Sequence, residues 1–60
     1  MKENYIRIKA NTHDHFEQLQ KQLLADGYDL FTIEGMLMKY SKSVGAKTYR
    51  ADIYMSFWQQ

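Results

Sequence analysis

The sequence predicts a small α+β fold in β-α-β-β order, an antiparallel-type sheet of three strands with one helix packed on one face. Three observations carry this. Phe16, Leu19, Leu23 and Leu24 have helical spacing, residues 4–10 and 46–58 alternate with a period of two, and the second half holds more large apolar residues than one helix can cover.

In the first element, Ile6, Ile8 and Ala10 alternate with Tyr5, Arg7 and Lys9, the pattern of a strand with one face on a core. Asn11 or Thr12 then caps a helix, with Asp14 and Glu17 in the first turns, where carboxylates complement the helix dipole. Phe16, Leu19, Leu23 and Leu24 form its apolar stripe, flanked by His15, Glu17, Gln18, Lys21 and Gln22. Gly27 is placed to end it in the left-handed conformation.

Residues 30–44 fit two patterns. As a strand, Leu30, Thr32, Glu34, Met36, Met38 and Tyr40 line one face, with Phe31, Ile33, Gly35 and Leu37 on the other. As a helix over residues 32–44, Ile33, Met36, Leu37, Tyr40 and Val44 share a face, with Thr32 as cap and Gly45 as terminator. Leu-Phe-Thr-Ile is β-prone, and Gly35 would cost a helix about 1 kcal/mol relative to alanine, so the strand is preferred. In the last strand Tyr49, Ala51, Ile53, Met55 and Phe57 alternate with Thr48, Arg50, Asp52, Tyr54, Ser56 and Trp58. A turn centred on Val44 and Gly45 sets Tyr40 opposite Tyr49 and Met38 opposite Ala51, with that face under the helix.

The second face then carries Phe31, Ile33, Leu37, Tyr54 and Trp58 with nothing to cover them, the composition of a protein interface. Sixty residues make a single domain, residues 1–60, near the lower limit for folding alone. With no cysteine, disulfides and thiolate metal sites are excluded, and oligomerisation is the remaining staple. A homodimer is therefore expected. Hydrophobic residues at 45% are too many for a disordered chain. No run reaches the roughly 18 apolar residues of a membrane span, and no signal-peptide core follows Met1 and Lys2. A cytoplasmic protein with no membrane partner is the expectation.

The chemistry-bearing constellations are weak. His13 and His15 point about 200° apart on a helix and cannot chelate together, so no metal or other cofactor is expected. Ser41, Ser43 and Ser56 sit in no nucleophile elbow, the carboxylates are scattered, and there is no phosphate-binding glycine loop. No enzymatic activity is expected. Lys39, Lys42, Lys47 and Arg50 cluster at the hairpin tip with Tyr40 and Tyr49, a set able to contact phosphates and stack bases. A net charge of only +1 argues against a duplex-wrapping protein.

The expected function is a non-catalytic homodimeric module that binds a protein target. Small chains of this kind recur as phage or mobile-element inhibitors that block a host enzyme or defence protein by direct binding. The alternatives are a small nucleic-acid-binding regulator using the basic hairpin tip, and a structural subunit of a larger assembly.

Overall fold

The computed structural model describes residues 4–58. Its elements are β1 (Tyr5–Ala10), α1 (His13–Ala25), β2 (Asp29–Glu34), β3 (Leu37–Val44) and β4 (Lys47–Met55). They form a four-stranded sheet in the order β1-β4-β3-β2, with α1 on one side. The α+β class and the single packed helix are as the sequence predicts. The order is β-α-β-β-β, with one strand more than expected, and the sheet is mixed: β1 runs parallel to β4, while β2, β3 and β4 are antiparallel neighbours.

The extra strand comes from Gly35. Residues 30–44 are neither one long strand nor a helix over 32–44, because a two-residue turn at Gly35 and Met36 divides them into β2 and β3. Gly45 and Ala46 make the same turn between β3 and β4. Both glycines have positive φ, 58° and 62°, and no non-glycine residue among those described does. Positive φ at the first central position alone is the type II′ turn, whose twist matches that of the flanking strands. Gly45 therefore takes the first turn position rather than the second. That choice sets Tyr40 opposite Ala51 and Met38 opposite Ile53 instead of Tyr49 and Ala51. The slip is two residues, so every side chain keeps the face the sequence assigned it within this hairpin.

Helix α1 starts at Thr12, whose hydroxyl accepts a hydrogen bond from the His15 backbone N–H at 3.1 Å. It ends in a Schellman arrangement: Tyr28 N–H donates to Leu23 C=O at 3.0 Å and Gly27 N–H to Leu24 C=O at 3.1 Å. Phe16 and Leu23 face the sheet and pack with Ala10, Tyr40, Ala51, Ile53 and Met55, with Leu19, Tyr28, Met38 and Phe57 around this core. A helix is about 10 Å wide and strands are about 4.8 Å apart, so one helix covers about two strands. Here it lies on β4 and β1. The helix side of β2 is left open.

Candidate interaction surface

Cross-strand neighbours share a face, so the pairing register assigns each side chain to a side of the sheet. The row Leu30–Tyr40–Ala51–Ile6 and the row Ile33–Met38–Ile53–Ile8 lie on the helix side. The row Asp29–Ser41–Arg50–Tyr5, the row Thr32–Lys39–Asp52–Arg7 and the row Glu34–Leu37–Tyr54–Lys9 lie on the open side. A bulge between Leu30 and Thr32 accommodates Phe31, whose ring meets the Arg50 guanidinium 4.9 Å from its centroid on the open side.

The residues expected to make one apolar second face are therefore divided. Phe31, Leu37 and Tyr54 are on the open side. Ile33 is on the helix side, because the bulge and the turn at Gly35 reverse its alternation. Trp58 lies beyond the end of β4 and is about half exposed.

Polar groups occupy the centre of the open side. Asp52 is only 4% exposed and accepts a 2.7 Å hydrogen bond from the Tyr5 hydroxyl, which in turn accepts one from Arg7 Nε at 3.2 Å. Lys39 pairs with Glu34 at 3.0 Å. This network was not legible in the sequence, since Tyr5 and Asp52 are 47 residues apart.

The basic hairpin set is divided as well. Lys39 and Arg50 are on the open side, and Lys47 is exposed at the tip. Lys42 is on the helix side, where its ammonium donates to the Asp26 carbonyl at 3.0 Å and sits 4.8 Å from the Tyr28 ring centroid. A cation at this point satisfies a carbonyl at the C-terminal end of α1 and complements its dipole. Sequence spacing gave no sign of that role.

Three of the exposed large hydrophobic residues lie on β2. Phe31 is 57% exposed, Ile33 55% and Leu30 48%, the first on the open side and the other two on the helix side. β2 is also an edge strand, so among the described residues one row of its backbone N–H and C=O groups has no strand beside it. Strict alternation places Leu30 on the covered face. The cue that could have exposed it is the second Gly-X turn ten residues before the first, which makes Leu30 part of a separate outer strand.

Two further groups complete the chemistry. His13, Asp14 and Glu17 bring ligand atoms within 4.8 Å of one another at the start of α1, all exposed; His13 pairs with Glu17 at 3.7 Å and stacks edge-on against Phe57. Tyr40 is fully buried, and among the described residues its hydroxyl has no partner at full hydrogen-bond geometry. Burial raises its pKa above the ordinary 10.0, with the Gln20 side chain acting in the opposite direction. Among the described residues no helix is long and apolar enough to cross a membrane. No family model, curated protein or solved structure matches the chain.

Proposed function

We propose that this chain is a non-catalytic module that binds another protein and acts by occupying its surface, as a phage or mobile-element inhibitor of a host defence protein would. The observation supporting this is the β2 edge, which offers free backbone hydrogen-bonding groups flanked by exposed Leu30 and Ile33 on one side and exposed Phe31 on the other. Strand addition gives such an edge affinity through main-chain bonds and specificity through alternate side chains. Self-association of the whole chain is compatible with the same edge.

The nucleic-acid alternative draws less support from the geometry. Lys42 is committed to the end of α1, and the remaining tip cations face different directions. Capture from the native cell on the tagged full chain, followed by mass spectrometry, distinguishes the readings. A protein target lost with Ile33→Lys and insensitive to salt supports the proposal. Capture of nucleic acid that falls steeply with salt replaces it with the alternative.

A further inference from the structure

We infer that copies of this chain associate head to tail, the β1 edge of one copy adding in parallel to the β2 edge of the next. This rests on the reading of β2 as a docking strand and names its occupant: a second copy of this chain.

Both edge strands are six residues long. They also run in the same direction, because β1 is parallel to β4 and the two antiparallel steps through β3 return β2 to that sense. A copy displaced along the sheet therefore brings its β1 alongside β2 with neither face turned over. The two edges then match in chemistry on both sides. On the helix side, β1 offers Ile6 and Ile8 and β2 offers Leu30 and Ile33. On the open side, β1 offers Arg7 and Lys9 and β2 offers Asp29 and Glu34.

Full overlap of the strands, with Phe31 in the extra position of the bulge, sets Ile6 beside Leu30, Ile8 beside Ile33 and Lys9 beside Glu34 of the next copy. Arg7 falls beside Phe31, where a guanidinium is favoured over the ring.

Symmetric pairings lack this match. Antiparallel β2 against β2, with the faces preserved, sets Asp29 opposite Glu34 twice. Antiparallel β1 against β1 sets Arg7 and Lys9 among themselves. Like charges directly opposite one another destabilise a strand pair. The charges that keep identical edges apart thus select the unlike edge. Contacts of this kind close into a ring or extend into a filament, depending on the rotation between copies.

The test is sedimentation of the full chain over a concentration series, with thermal melts to establish that each variant is folded. The wild type should exceed the mass of two copies as concentration rises. Lys9→Glu and Glu34→Lys should each weaken association about three- to tenfold, as one exposed ion pair becomes a repulsion. Mixing these two variants should restore it, since each then meets an oppositely charged edge. Ile33→Lys should weaken association by more than about tenfold.

A wild type that stays at 7.2 kDa up to millimolar concentration overturns the inference. So does a closed dimer whose two charge variants fail to complement, and so does a folded Ile33→Lys that associates normally. If the wild type is monomeric yet binds a target protein and loses it on Ile33→Lys, self-pairing is overturned while the protein-binding reading survives.

Discussion

Tyr40 and Asp52 both place a polar group out of water, and the sheet treats them differently. Asp52 has the Tyr5 hydroxyl at 2.7 Å, whereas among the described residues the Tyr40 hydroxyl has no comparable partner. Removing a partner leaves a buried acceptor unsatisfied, so Tyr5→Phe should destabilise the chain by about 1–3 kcal/mol, read by denaturant titration. Tyr40→Phe removes a group that contributes little, and its cost should be under about 1 kcal/mol. Tyr40→Phe should also change the alkaline limb of stability. Below pH 10.0 both states hold the phenolic proton, so the raised pKa has no effect there. Above it the unfolded chain releases a proton that the folded chain retains, and stability falls with rising pH. The Phe variant should lose less stability than wild type between about pH 10 and 11, where both can be followed by circular dichroism.

At the scale of elements, the two Gly-X turns decide how many strands the sheet has. An L-residue in the left-handed region costs about 1–2 kcal/mol, and a Cβ on Gly45 would meet nothing within 4 Å. Gly45→Ala should therefore destabilise by about that amount through backbone strain alone, with no steric clash to relieve. Equilibrium unfolding measures it, and an unchanged midpoint would contradict the II′ assignment. The helix has its own long-range closure. Lys42, sixteen residues beyond Asp26, ties the C-terminal end of α1 to β3.

For the whole molecule, the balance between sheet area and helix cover sets the behaviour. One helix on four strands leaves Leu30 and Ile33 exposed on the helix side, Phe31 is exposed on the other, and a chain this short has little core stability to spare. Burial of that edge against any partner adds to folding stability by mass action. The melting temperature should thus rise with protein concentration, by several degrees over a hundredfold range for an association that saturates within it. Ile33→Lys should abolish the dependence while leaving the dilute-solution melt nearly unchanged, because Ile33 is already 55% exposed. Calorimetry at two concentrations checks both outcomes.

The α+β class, β1, α1 with a cap at Asn11 or Thr12 and its Gly27 end, and the helix-facing side of the last hairpin were all determined by the sequence itself, because each follows from spacing within a few residues. Ile6, Ile8 and Ala10, or Phe16, Leu19 and Leu23, state their own period. The tertiary structure alone decided the rest. Gly35 is compatible with strand, helix or turn until β3 has β4 to pair with, and only the pairing makes it a turn. The bulge at Phe31 then moves Ile33 to the helix side, a change of face invisible to a strict alternation. The parallel pairing of β1 with β4 brings Tyr5 to Asp52 and puts β1 and β2 at opposite edges, pointing the same way. Local propensity reads neighbours along the chain, whereas sheet order is set by which distant strands bury the most apolar surface together.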